Sequence, residues 1–201
     1  MASGGLRTAS IVLFWCTAAA TILVVAALAR RRSAWTDFVD RGLDRDVIGR
    51  IDDADSMASA AFGLTFALGL ATLIVVSIWS LRVGRRARAA GASDVSPGLA
   101  CGSWYIPYAS AIVPFVQLRR VARRWGRSTT MLGVWQACFI ATWVTGTAVA
   151  GLEPDEEDAV VDVSDITDQL NGQLVFAVLS MIIVAVMAFV AMQAVRTIDD
   201  A

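Results

Sequence analysis

Residues 96–127 read SPGLACGSWYIPYASAIVPFVQLRRVARRWGR, an apolar and aromatic stretch broken by Pro107 and Pro114 that runs into Arg119, Arg120, Arg123, Arg124 and Arg127. Proline removes a backbone donor and obstructs a helix interior. The stretch therefore does not read as a simple membrane crossing. It suits an interfacial or re-entrant segment over residues 97–118, with Trp104, Tyr105 and Phe115 near headgroup depth. From Val116 onward, Arg119, Arg123 and Arg127 recur about one turn apart, as do Arg120 and Arg124, beside Val121, Ala122 and Trp125. That pattern predicts a basic amphipathic helix suited to anionic headgroups.

On either side the chain reads as membrane helix. Of its 201 residues, 57% are hydrophobic, above the roughly half expected of a soluble domain. Four charge-free stretches reach the ~20 residues that a ~30 Å hydrocarbon core requires of a helix. They predict spans at about 9–29, 57–81, 129–151 and 173–195. The fold class expected is all-α integral membrane, with four transmembrane helices in one membrane domain, 1–201. The Ala27-Leu28-Ala29 end of the first span resembles a signal cleavage site, but the apolar run 11–29 exceeds a signal core of ~7–15 residues, so a retained helix is expected.

Between the first two spans, Trp35, Val39, Leu43, Val47 and Ile51 recur every four residues among seven aspartates and Arg41, Arg45 and Arg50. This predicts an amphipathic helix over 34–54, lying at the membrane surface or capping the bundle. The second span carries Ser59, Gly63, Ala67 and Ala71 at four-residue spacing, and the third carries Gly133, Ala137, Ala141 and Thr145. Small residues let helix backbones approach in lipid, so these two faces are expected to pair. Gln136, inside the third span, needs a hydrogen-bond partner. An acidic outer loop is read over 152–171, with eight carboxylates and no arginine. Its carboxylates lack the alternating spacing and turn glycine of a calcium loop. A short amphipathic helix on Val160, Val163, Ile166 and Leu170 is expected within it.

Arginine is the only basic residue type, and its distribution sets topology. Four spans leave both termini on one side. With the termini inside, nine arginines of the middle loop join Arg7 and Arg196 there, eleven against the six at positions 30, 31, 32, 41, 45 and 50. Those six are expected to snorkel or to pair with the aspartates of their own loop. The reading is a multi-pass plasma-membrane protein with cytoplasmic N- and C-termini.

The motif around the prolines resembles the actinobacterial membrane proteins grouped as domain-of-unknown-function family 4328. The resemblance is carried by Trp104, Tyr105, Ile106, Pro107, Ser110, Pro114 and Phe115, then Gln117-Leu118-Arg119-Arg120, then the tryptophan-bearing span with Trp135 and Trp143. Ser110 stands where the family signature has asparagine, and Trp135-Gln136 where it has paired tryptophans. What the resemblance implies is a multi-span bacterial plasma-membrane protein. It implies no activity.

For function, the chain has no histidine and its three cysteines have no metal-ligand spacing. Ser103 and Ser110 have no histidine to activate them. No catalytic residue, metal or cofactor is expected. The leading expectation is a non-enzymatic accessory, scaffold or interaction protein with a basic cytoplasmic surface. Its expected partners are anionic lipid headgroups, with a membrane-protein partner or a second copy in addition, and not nucleic acid. The alternative is a small transporter or channel component whose residues 104–115 line a cavity; the spans, however, carry no buried acid or base.

Overall fold

The structure is a computed structural model and describes residues 4–41, 44–106, 108–152 and 163–200. Among these there is no strand. Six α-helices follow in order: α1 (Gly4–Arg41), α2 (Arg45–Ala89), α3 (Pro97–Gly102), α4 (Ala109–Arg124), α5 (Thr130–Gly151) and α6 (Val163–Asp199), with a 3₁₀ turn at Ser103–Tyr105 after α3. Helices α1, α2, α5 and α6 are the long apolar ones. The protein is an all-α membrane protein with four transmembrane helices.

Three boundaries differ from expectation. The amphipathic helix over 34–54 is not one element. It is the last turns of α1 followed by the first turns of α2, because nothing between residues 30 and 41 breaks a helix, whereas Asp44 begins a new one as a cap residue; residues 42 and 43 lie outside the described residues. The Asp44 carboxylate accepts from the Asp46 N–H at 3.3 Å, an N-cap for α2. The acidic segment is likewise shorter than 152–171. Helix α6 begins at Val163 and continues without interruption into the fourth span, so Val163, Ile166 and Leu170 of the expected short helix belong to α6, while Val160 lies outside the described residues. Residues 153–162 and Pro107 lie outside the described residues.

The chain divides into two compact units, each of the four long helices contributing to both. The first comprises Met1–Thr17, Leu68–Ile140 and Val184–Ala201; the second, Ala18–Ala67 and Ala141–Ile183.

In the second unit, Val24, Ala27 and Leu28 of α1 pack with Ala58 and Ala61 of α2 and Ala177 of α6. Small side chains do bring helices together here, but not along the expected stripe. Ser59, Gly63 and Ala67 are exposed, and so is Ala137 of α5, while Ala71, Gly133 and Ala141 are only partly buried. A Cβ added at Gly63 would meet nothing within 4 Å. Thr145 of α5 is buried, but the exposure of Ser59, Gly63, Ala67 and Ala137 leaves much of the two stripes outside the packed core. The buried face of α2 is the adjacent one, bearing Ala54, Ala58 and Ala61, because that is where α1 and α6 lie. Beyond this core Arg50 pairs with Asp37 at 2.7 Å and Arg31 with Asp55 at 2.6 Å, tying α2 to α1. Arg32 donates to Asn171 on α6. The expected pairing of these arginines with aspartates of their own loop is thus made by Arg31 and Arg50.

A substitution pair separates the two stripes. Ala61→Leu overfills the α1–α2–α6 core and is expected to cost about 1–3 kcal/mol. Gly63→Ala on the open face is expected to leave stability unchanged or raise it by up to ~1 kcal/mol. Thermal unfolding of detergent-solubilised protein checks both; the opposite order would restore the Gly63 stripe as the packing face.

Candidate functional site

The basic and aromatic stretch lies wholly in the first unit, and its placement follows from a few local rules. Helices α2 and α4 end alike. Gly91 (φ 90°) and Gly126 (φ 64°) each follow a helix in a left-handed conformation, which glycine adopts without a Cβ clash. The Ala92 N–H reaches the Ala87 carbonyl and the Gly91 N–H that of Arg88; Arg127 and Gly126 repeat this onto Ala122 and Arg123. Both ends are Schellman motifs. Ser96 then caps α3, its hydroxyl accepting from Leu99 N–H, with Pro97 at the first helical position.

From Pro97 the chain descends along α2. A Cβ on Gly84 would come within 3.1 Å of Pro97 Cα. The Trp104 indole N–H donates to Ser80 Oγ at 3.3 Å, and the Tyr105 hydroxyl lies 2.7 Å from Ser77 Oγ. From Gly84 to Ser77 is seven residues of helix, about 10 Å at ~1.5 Å per residue. Helix α4 then runs back, its last turns returning to the level of residues 90–96. With 6 and 16 residues, α3 and α4 reach only ~9 and ~24 Å, too short to cross. The segment enters beside the second span and returns.

Pro114 does not break α4; it sits inside the helix, which starts at Ala109. Lacking an N–H, Pro114 leaves the Ser110 carbonyl without its i→i−4 donor, yet the helix runs through it. The basic helix expected from Val116 begins about two turns earlier, and Ser110 is one of its first residues, buried, with its N–H on the Ile106 carbonyl at 2.9 Å.

The aromatic residues of the motif separate into two sets. Trp104 and Phe115 are buried and stack with α5. Trp104 lies 5.4 Å from Phe115 and 6.1 Å from Trp135, and Phe115 lies 5.3 Å from Trp135 in an edge-to-face pair. Phe139 packs against Trp104 and Phe115, and Phe14 of α1 against Trp135. Such ring pairs add ~0.5–1.5 kcal/mol each beyond their burial. Tyr105 and Tyr108 are instead exposed.

The arginines separate as well. Arg119 is half-buried and donates to Gln136 Oε1 at 2.6 Å, while Gln136 Nε2 donates to the Ala111 carbonyl at 2.8 Å. The amide of the third span thus finds its partners on α4. Arg120 donates to the Asp94 carbonyl at 2.7 Å, Arg124 to that of Ala90 at 3.1 Å, and Arg127 to that of Asp200 at 3.0 Å. Arg123 is exposed and holds no described residue, and the same is true of Arg85 and Arg88 on α2. Four of the five arginines expected to face headgroups are thus engaged within the protein; among the described residues of this unit, the exposed arginines without a partner are Arg85, Arg88, Arg123 and Arg196.

Two polar contributors were not visible in the spacing. Gln117 is buried, and its Oε1 accepts the Ser96 N–H at 2.9 Å. A glutamine between Pro114, Leu118 and Val121 on the apolar side of α4 is the sequence signal for it. Asp199, its side chain 3% exposed, accepts from the Trp79 indole at 3.3 Å and lies 3.5 Å from Arg86, which also covers Trp125. Arg7 pairs with Asp200 at 2.5 Å.

A family model described as Domain of unknown function (DUF4328) matches residues 45–200. No curated protein and no solved structure matches the chain.

Gln117→Leu would leave the Ser96 N–H without its acceptor, a loss of about 1–3 kcal/mol. Hydrogen exchange over residues 96–106 is expected to accelerate roughly 5- to 100-fold, with exchange in the α1–α2–α6 core unchanged. Equal exchange in variant and parent would show that Gln117 does not hold the segment.

Proposed function

We propose that this chain, which belongs to the DUF4328 family, is a non-enzymatic accessory or scaffold protein of an actinobacterial plasma membrane. It acts through a basic cytoplasmic surface on anionic lipid headgroups, and no nucleic acid is involved. The observation that carries the reading is the division among the arginines. Arg119, Arg120, Arg124 and Arg127 fasten the re-entrant segment from within. Arg85, Arg88 and Arg123 stay exposed at the same end of the first unit, beside a segment embedded at the depth of Ser77. Exposed cations at a membrane boundary gain ~1 kcal/mol each near an anionic surface.

Orientation is proposed on the same grounds. The Arg7–Asp200 pair and the Arg127 bond to Asp200 support a common side for the termini and the middle loop. The arginine excess there favours the cytoplasm. The ring packing of Trp104 and Phe115 supports the accessory reading over a transporter in which residues 104–115 line a cavity. A membrane-protein partner or second copy has the exposed lipid-side faces of α2 and α5 available to it.

The full chain in nanodiscs of mixed phosphatidylglycerol and phosphatidylcholine provides the test. Native mass spectrometry is expected to show preferential retention of phosphatidylglycerol, reduced roughly fivefold per arginine as Arg85, Arg88 and Arg123 are changed to Gln, following ~1 kcal/mol for each. Equal retention of both lipids by the unaltered chain would overturn the reading.

A further inference from the structure

Helix α4 has one outer face whose character changes along its length. At ~100° per residue, Ile112, Val116, Arg119 and Arg123 share that face, and Tyr108 immediately precedes the helix at its deep end. Tyr108 is 89% exposed and Ile112 57%, Val116 and Arg119 are half-buried, and Arg123 is exposed. The opposite face is buried.

The apolar end of the face is its deep end, since Tyr105, three residues before Tyr108, reaches Ser77 within the second span. The cationic end is the shallow one, at the level where α4 returns to the residues following α2. Ile112 to Arg123 spans about 16 Å of helix axis, close to the ~15 Å of one leaflet's hydrocarbon. The face therefore has the polarity profile and length of a phospholipid lying in one leaflet.

Two further observations point outward. Tyr108 is held at φ 62°, ψ −44°, a conformation that costs a non-glycine residue ~1–3 kcal/mol, yet its side chain is exposed rather than packed on the described residues. Arg123 has no described partner, whereas Arg120, off this face, is taken by Asp94.

We infer that this face binds a single anionic phospholipid, with its phosphate on Arg123 backed by Arg119 and an acyl chain along Val116, Ile112 and Tyr108. The inference rests on the anionic-lipid reading above and adds a location, a stoichiometry of one and a requirement for the chain.

The test is retention of phosphatidylglycerol by the full chain in mixed nanodiscs, read by native mass spectrometry. One tightly held phosphatidylglycerol is expected. Arg123→Gln and Ile112→Asn should each lower its retention at least fivefold, and millimolar glycerophosphoglycerol, the headgroup alone, should not displace it. If Arg123→Gln lowers retention while Ile112→Asn and Tyr108→Ser leave it intact, or if the free headgroup displaces the lipid, this site is overturned and the general headgroup reading stands. If the unaltered chain shows no preference for phosphatidylglycerol, both fall. Should Ile112→Asn fail to give a monodisperse protein, Ile112→Ala replaces it, with a two- to threefold loss expected and an unchanged value overturning the site.

Discussion

A backbone that leaves helical geometry near hydrocarbon must have its N–H and C=O groups paired by the protein itself. Residues 90–108 are where this chain faces that constraint, and most of the polar chemistry of the first unit addresses it. Arg124 takes the carbonyl of Ala90, Arg120 that of Asp94, Gln117 the N–H of Ser96, and Ser103 the carbonyl of Leu99. The arginines and the embedded segment are therefore parts of one device. A charge-assisted bond to a carbonyl is stronger than a neutral one, and arginine can reach from a shallow helix to a turn while keeping its charge near water.

The aromatic cluster does the complementary work. Between hydrocarbon and protein there is little hydrophobic drive to hold a short helix pair in place, so packing and specific polar contacts must do it. Trp104 and Phe115 supply large flat surfaces to Trp135 and Phe139, and the Trp104 indole bonds to Ser80. In the second unit the same need is met by alanines and by arginine–aspartate pairs. Two solutions to one problem occur in one chain because the first unit must accommodate an extra hairpin and the second only four long helices.

Much of the candidate site was legible. The prolines around Trp104 and Tyr105 and the arginine spacing announced a segment that enters and returns, and Gln136 announced a need for a polar partner, which the structure supplies from α4. What the spacing did not show is which arginines look inward. Arg119 and Arg123 are equivalent in sequence, one turn apart on one face, yet Arg119 meets Gln136 and Arg123 meets no described residue. The difference lies in where α5 runs, and no property of α4 alone contains it. The Gly63 stripe shows the same limit. Two faces of α2 carry small residues, one on Gly63 and Ala67 and one on Ala58 and Ala61, and composition does not rank them.

The sequence by itself determined the class of the protein, the number of spans and the end at which arginine concentrates, because each depends on local length, hydropathy and charge. Only the tertiary structure decided the rest: the face of α2 that is buried, and the split between arginines bonded within the protein and arginines left exposed. These depend on which helices become neighbours, and neighbourhood in a bundle is set by the sum of many weak, non-local contacts.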